Sequence, residues 1–218
     1  MNEMFEMHRE NITPDKWTIT ISFDDGYANN LENALEIIEK YKVKTTFFLS
    51  GICIEKPDYI MWSDILSFIR FYSPKVIIDG KKFQKIGKFG LYNSELNIMA
   101  SDYIKKLPFG ERENTLQKMV LKHQLLNKMK NLPKEYWKLL SPDQIKELAS
   151  SELVDIGSHG HLHYNLGDIS LKASIEEMRR SKEILSNTIN QNIDLLSYPD
   201  GSYNKTVIDE AEKLGYTK

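Results

Sequence analysis

The chain has 218 residues with 29 basic and 31 acidic side chains, so its formal net charge is −2. Apolar residues make up 41% of it, which is typical of one globular domain with a substantial core. This balance argues against a nucleic-acid-binding protein, and no apolar run is long enough to predict a transmembrane helix.

The sequence begins with a strand, a helix and a second strand. Residues 17–23 are rich in β-branched and aromatic side chains and predict a buried strand. Apolar spacing predicts a helix over residues 30–41, and residues 44–49 predict the next strand. This order within about thirty residues is a βαβ unit with parallel strands.

Residues 56–140 are less regular and predict an insertion or lid. Residues 76–83 resemble a short hairpin around Asp79 and Gly80. Helical spacing is found at residues 60–71, 94–107 and 111–129. We therefore expect a single domain over residues 1–218 with a largely helical insertion at about 56–140.

Alternation of helices and strands resumes after this segment. Ser141 and Pro142 predict the start of a helix. Helices are expected at residues 141–150, 170–187 and 205–214, and strands at residues 154–156 and 195–198. Repeated β-loop-α order with polar residues at the strand ends is the layout of a parallel α/β barrel, whose chemistry lies at that rim.

Two consecutive carboxylates, Asp24 and Asp25, follow the first predicted strand. Consecutive strand residues point in opposite directions, so one site can use both only if the chain turns there. Gly26 permits such a turn, and one carboxylate can then bind a metal ion while the other accepts a proton. The alternative is an Asp-Gly turn that only precedes a helix.

Three histidines occupy alternate positions at His159, His161 and His163. Imidazole and carboxylate are ligands that zinc accepts, so these histidines and the upstream carboxylates predict a metal site. A spacing of four brings His159 and His163 to one side of a helical turn, whereas an extended strand would align all three. Gly157 and Gly160 indicate a loop with a turn, which favours the pair. Surface histidines without a function are the alternative.

The third segment covers residues 197–203 and follows a predicted strand. Pro199 and Gly201 predict a sharp bend there, which would expose the backbone N–H of Asp200. Such an amide can stabilise an oxyanion. A tight connection without any chemistry is the alternative.

In this order, the three segments resemble the motifs of the polysaccharide deacetylase family, also called NodB-homology or carbohydrate esterase family 4 enzymes. The first motif is matched by residues 22–26 (Ser-Phe-Asp-Asp-Gly) and the second by residues 159–163 (His-Gly-His-Leu-His). The third is matched loosely by residues 197–201 (Ser-Tyr-Pro-Asp-Gly). The resemblance extends over residues 17–55 and 139–217.

This resemblance implies a distorted (β/α) barrel that is incomplete at its C-terminus. It also implies a divalent metal ion, with Zn²⁺ expected before Co²⁺, Ni²⁺ or Mn²⁺. The implied activity is a hydrolase that removes N-acetyl groups from a saccharide. Asp25, His159 and His163 would be the metal ligands, and Asp24 the general base. The backbone amide of Asp200 would stabilise the oxyanion, and the substrate would be bound by Tyr198, Pro199 and Tyr203.

Two departures from the family pattern leave other functions open. Ser197 stands where the family often has an arginine, and later motifs, including a histidine that protonates the leaving amine, are missing from the sequence. His161 is the nearest substitute for that acid. The alternatives are a catalytically silent, metal-retaining homologue that acts as a carbohydrate-binding or assembly protein, and an amidase of small amides. A truncated barrel would have an open sheet edge, which predicts a homo-oligomer that covers it, a modified closure or a small exposed apolar surface.

Two further expectations concern the thiol and the N-terminus. Cys53 is the only cysteine and follows an apolar run, so we expect a buried, inert thiol and no disulfide. Residues 1–10 are acidic where a signal peptide would be basic and then apolar, which predicts a cytoplasmic protein.

Overall fold

The computed structural model describes residues 1–14, 17–56, 58–88, 90–130 and 132–218. They divide into two compact units, of which the first comprises Met1–Tyr59 and Lys138–Lys218 and the second Ile60–Trp137. All the site residues named above belong to the first unit. A single domain with one insertion stays a prediction.

The helices and strands are numbered here in chain order. They are α1 (Asn2–Arg9), β1 (Ile21–Phe23), α2 (Ala28–Tyr41), β2 (Thr45–Leu49), α3 (Ile52–Glu55), α4 (Trp62–Tyr72), β3 (Lys75–Ile78), β4 (Lys81–Ile86), β5 (Gly90–Asn93), β6 (Ile98–Met99), α5 (Ala100–Lys105), α6 (Glu111–Lys122), α7 (Leu125–Met129), α8 (Pro142–Ala149), β7 (Val154–Ser158), α9 (Leu171–Ile189) and α10 (Lys205–Lys213). None of these helices combines the length and apolar character needed to cross a lipid bilayer.

The first unit contains a parallel sheet in the order β1-β2-β7. The central strand β2 is buried along its whole length, as its two apolar phenylalanines and its leucine require. Phe23 pairs with Phe47, and Leu49 pairs with Ser158. Because parallel strands end at the same edge of a sheet, the residues that follow β1, β2 and β7 come together there.

The first strand is shorter and more exposed than the sequence predicts. Trp17 is 99% exposed and Ile19 is 83% exposed, and no residue of β1 is buried. The prediction over residues 17–23 is therefore wrong in its burial throughout and in its strand before Ile21. Pairing begins at Ile21 because its partner Thr45 is the first residue of β2. Within the described residues, β1 pairs with β2 alone and forms an edge of this sheet.

The predicted strand at residues 195–198 is reduced to a short parallel bridge between Leu196 and Ser158 of β7. Ser158 donates its N–H to the carbonyl of Leu195 at 2.9 Å, and Ser197 donates to the carbonyl of Ser158 at 3.0 Å. The third segment is therefore attached to the carboxyl end of β7. The later helices α8, α9 and α10 form within two residues of the predicted bounds.

The second unit combines helices with an antiparallel sheet in the order β3-β4-β5-β6. The sequence predicts only its first hairpin, around Asp79 and Gly80. The helix predicted over residues 94–107 begins at Ala100, because residues 98 and 99 pair with β5. The helix predicted over residues 111–129 is divided into α6 and α7 at Gln124, which has a φ of 52°.

Candidate metal centre

Three of the predicted site residues converge where β1 and β7 end. Asp25 lies two residues beyond β1, and His159 is the first residue beyond β7. One ligand atom each of Asp25, His159 and His163 lies within 4.8 Å of the other two. Asp25 Oδ1 is 3.6 Å from His159 Nε2 and 3.2 Å from His163 Nε2.

A left-handed turn places Asp25 in this cluster. Asp25 has a φ of 72° and Gly26 a φ of 89°, and Gly26 donates its N–H to the carbonyl of Asp24 at 2.9 Å. A Cβ at Gly26 would lie 3.3 Å from Leu49 Cδ2. The positive φ strains any residue with a Cβ, and the close approach to β2 leaves little room for one, so glycine fits best at this turn.

The histidine loop, residues 159–163, is neither a helical turn nor a strand. Gly160 has a φ of 72° and His163 a φ of 58°, and the chain bends at the two residues between them. The imidazoles of His159 and His163 consequently meet edge to face, with ring centroids 4.9 Å apart. His161 points elsewhere, with its Nε2 3.3 Å from Glu55 Oε2.

A backbone carbonyl fixes the orientation of the first imidazole. His159 Nδ1 is 2.9 Å from the carbonyl oxygen of Ser197. Since a carbonyl oxygen only accepts, Nδ1 carries the proton and donates it, which leaves the lone pair on Nε2. Metal-binding histidines usually have a partner of this kind on the other ring nitrogen.

Burial and nearby charges favour a neutral imidazole at His159 and an ionised carboxylate at Asp25. Burial lowers the pKa of His159, and His163 acts in the same direction against the charges of Asp24 and Asp25. Burial by itself raises the pKa of Asp25, but the hydrogen bond and charge of His163, together with the charge of His159, leave that pKa lowered. A neutral imidazole and an ionised carboxylate are the forms that coordinate metals.

The donor set therefore fits a divalent ion that accepts nitrogen and oxygen ligands. Two imidazole nitrogens and one carboxylate oxygen converge on one point, and the carbonyl of Ser197 already satisfies the spare nitrogen of His159. Three protein ligands with a further position open to water or substrate are typical of a catalytic site rather than a structural one.

The remaining predicted residues lie around this cluster. Asp24 is exposed, and its negative charge acts to raise the pKa of His159. Asp200 lies in the turn Pro199–Gly201 with a φ of 54° and an exposed side chain. The rings of Tyr198 and Tyr203 pack with their centroids 5.2 Å apart. The roles expected for these residues stay predictions.

Sequence reasoning missed a buried carboxylate beside the histidine loop. Glu177 of α9 is 1% exposed, and its Oε2 accepts hydrogen bonds from the backbone of the loop. The only signal in the sequence was the position of Glu177 in the helix. It lies next to Met178 and one turn from Ser174 and Ser181, and the structure shows that all three are buried.

The family model described as polysaccharide deacetylase matches residues 11–218. A curated relative from Bacillus subtilis strain 168, YxkH, is named provisionally as a polysaccharide deacetylase. It is 23% identical over 203 residues, which are 93% of this chain and 44% of the relative. The chain thus spans less than half the length of this curated protein.

Two solved structures have similar folds. Streptococcus pyogenes deacetylase PplD in complex with acetate has a TM-score of 0.58 and 18% identity, over 99% of this chain and 60% of that one. The BpsB deacetylase domain from Bordetella bronchiseptica has a TM-score of 0.56 and 14% identity, over 99% of this chain and 68% of that one. At these identities, the likeness establishes the fold alone.

The fold is mixed α/β and of the deacetylase type, as the sequence predicted. The chain belongs to the polysaccharide deacetylase family. The family resemblance inferred from the sequence is thereby confirmed.

Proposed function

We propose that this chain is a metal-dependent hydrolase that removes N-acetyl groups from a saccharide. The observation that carries the proposal is the convergence of Asp25, His159 and His163 within 4.8 Å of one another. Membership of the polysaccharide deacetylase family supports it. The products are acetate and a sugar with a free amine.

In this proposal Asp25, His159 and His163 hold the cation, with Zn²⁺ as the first choice and Co²⁺, Ni²⁺ or Mn²⁺ as alternatives. When bound, such an ion polarises the amide carbonyl and lowers the pKa of water toward about 7. The protein supplies the ligand geometry, through the turn at Gly26 and the carbonyl of Ser197.

Asp24 acts as the general base. Its carboxylate is exposed, it is adjacent to Asp25, and it accepts a proton from the attacking water. Once protonated, the same carboxyl returns that proton to the departing amine nitrogen, so the C–N bond breaks with the atoms balanced. His161 is a poor candidate for this acid, because it is buried with its Nε2 against Glu55.

The third segment forms the substrate side of the site. We assign the backbone amide of Asp200 to the oxyanion of the tetrahedral intermediate. Tyr198, Pro199 and Tyr203 bind the sugar, and Tyr203 is the most accessible of the three at 58% exposed. A homo-oligomer that covers an open barrel edge stays a prediction.

Acetate release tests this proposal. We would strip the protein with a chelator, add Zn²⁺ or Co²⁺, and measure acetate from a panel of N-acetylated oligosaccharides. Asp24→Asn should lower the rate by about 10²–10⁴-fold, because it removes the base. Asp25→Ala should abolish tight metal binding. The matched control is Asp143→Asn, an exposed carboxylate of α8 that pairs with Lys146, and it should keep the wild-type rate.

The outcomes separate the proposed enzyme from its alternatives. Metal binding without acetate release from any substrate would favour the catalytically silent carbohydrate-binding protein. Release from small amides but not from saccharides would favour an amidase. If neither metal binding nor release is found, the proposed function is wrong.

A further inference from the structure

Helix α9 places a buried carboxylate against the histidine loop. Glu177 Oε2 accepts the N–H of His161 at 3.1 Å and the N–H of Leu162 at 2.8 Å. Glu177 is 1% exposed, and a carboxylate is rarely buried unless it is paired or hydrogen-bonded. Two backbone N–H groups donate to the same carboxyl oxygen, so Glu177 holds the middle of the loop against α9.

The other side of the loop is held by the start of α3. Gly51 donates its N–H to the carbonyl of Gly160 at 3.0 Å, and Ile52 donates to the carbonyl of His161, also at 3.0 Å. The peptide groups between the two histidine ligands thus bond to α3 through their carbonyls and to Glu177 through their amides. Their orientation is set from both sides.

The loop needs this support because its backbone is strained. His163 has a φ of 58°, a conformation that side chains other than glycine adopt at an energetic cost. Such strain persists only where the surroundings impose it. A Cβ at Gly160 would lie 3.4 Å from Glu177 Oε2, so the strained turn lies directly against the carboxylate.

Neighbouring residues of α9 contact the same region. Ser181 is one helical turn from Glu177 and its Oγ lies 2.8 Å from Ser158 Oγ, at the end of β7. Arg180 pairs with Glu55 at 2.7 Å, and Glu55 in turn faces His161. This face of α9 therefore contacts both the end of β7, where the histidine loop starts, and the middle of that loop.

We propose that Glu177 is a positioning residue that sets the geometry of the two histidine ligands through the backbone of His161 and Leu162. The inference rests on the proposed function, since it takes Asp25, His159 and His163 to bind a cation. Groups that orient metal ligands typically contribute about 10–100-fold in metal affinity.

The first test measures Zn²⁺ affinity of the full chain by isothermal titration calorimetry. Glu177→Ala should weaken the dissociation constant by about 10–100-fold. Glu177→Gln should weaken it less, because an amide oxygen still accepts both backbone N–H groups. Unchanged affinity in folded Glu177→Ala would overturn the inference.

Two controls on α9 separate positioning from general destabilisation. Glu183→Gln removes an exposed carboxylate that pairs with Arg179, and it should leave both affinity and stability near wild type. Leu185→Ala removes a fully buried side chain, and it should lower the melting temperature but keep the wild-type affinity. If Leu185→Ala weakens Zn²⁺ binding as much as Glu177→Ala, the inference is wrong.

A second readout, on metal-free protein, does not depend on binding or activity. In the wild type, the amides of His161 and Leu162 should be protected from hydrogen exchange, and Glu177→Gln should reduce that protection and shift the imidazole NMR signals of His159 and His163. Wild-type amides that exchange as fast as an exposed loop would overturn the inference, even if Glu177→Ala fails to fold. If the wild type binds no metal, the proposed function fails, while this exchange experiment still decides the role of Glu177.

Discussion

Each of the three segments at the candidate site contains a residue with a left-handed backbone that is not glycine. Asp25, His163 and Asp200 have φ values of 72°, 58° and 54°. Aspartate and histidine adopt this region more readily than most side chains, and such residues cluster where a site needs an unusual chain direction. Three of the nine such residues in the described part of the chain thus lie in the segments to which we assign the chemistry.

Cys53 provides a prediction at the scale of one residue. Burial raises the pKa of its thiol to about 12, and the side chain is fully buried. Because the thiolate is the reactive form, iodoacetamide at pH 8 should leave the native protein unmodified while it alkylates the urea-unfolded protein completely, as measured by mass spectrometry. Modification of the native protein at the rate of a free thiol would contradict this expectation.

Helix α9 shows how a buried face differs from an apolar one. The apolar spacing predicts a buried side with Ile175, Met178, Ile184 and Leu185, but Ile175 and Ile184 remain partly exposed. The buried residues are Ala173, Ser174, Glu177, Met178, Ser181 and Leu185. The face is rotated because hydrogen bonds satisfy its polar members, as when Ser174 Oγ donates to the carbonyl of Leu166 at 2.7 Å.

Helix α8 provides a prediction at the scale of one element. Ser141 Oγ accepts the N–H of Gln144, whose side chain accepts the N–H of Ser141 in return. Ser141→Ala should lower the free energy of unfolding by about 1 kcal/mol, because it leaves helix N–H groups without this cap. Urea denaturation measures the change. The control Ser150→Ala, at the other end of the helix, should have a smaller effect, and an equal loss in both variants would contradict the prediction.

The division into two units leads to a prediction for the whole molecule. The ligands belong to the first unit, whereas the second has its own apolar core, which includes Leu125. Leu125→Ala removes a fully buried side chain and should lower the free energy of unfolding by about 2–5 kcal/mol. Zn²⁺ affinity, measured by calorimetry, should stay at the wild-type value. A tenfold loss of affinity in this variant would contradict the expectation.

The effect of Zn²⁺ on stability provides a second measurement on the Leu125→Ala variant. A ligand that binds only the folded state stabilises it by about 4 kcal/mol at a thousandfold excess over its dissociation constant. Zn²⁺ should therefore raise the unfolding midpoint of both wild type and Leu125→Ala, and EDTA should reverse the shift. Stabilisation of the wild type alone would show that the second unit affects the site.

Local signals in the sequence were sufficient for the βαβ start and for the three later helices, whereas the choice of Asp25, His159 and His163 as ligands came from the resemblance of their segments to a known family. Residue type, spacing and capping are properties of short segments, so they can be read without the fold. The α/β class followed from the order of these elements.

Tertiary structure decided what depends on partners far away in the chain. It exposed the start of β1, completed the sheet of the second unit, fixed the tautomer of His159 through Ser197, and buried Glu177 against the histidine loop. Periodicity shows which face of a segment is apolar, but not which backbone groups will meet it. Strand pairing and buried polar contacts therefore emerge only when distant segments pack together.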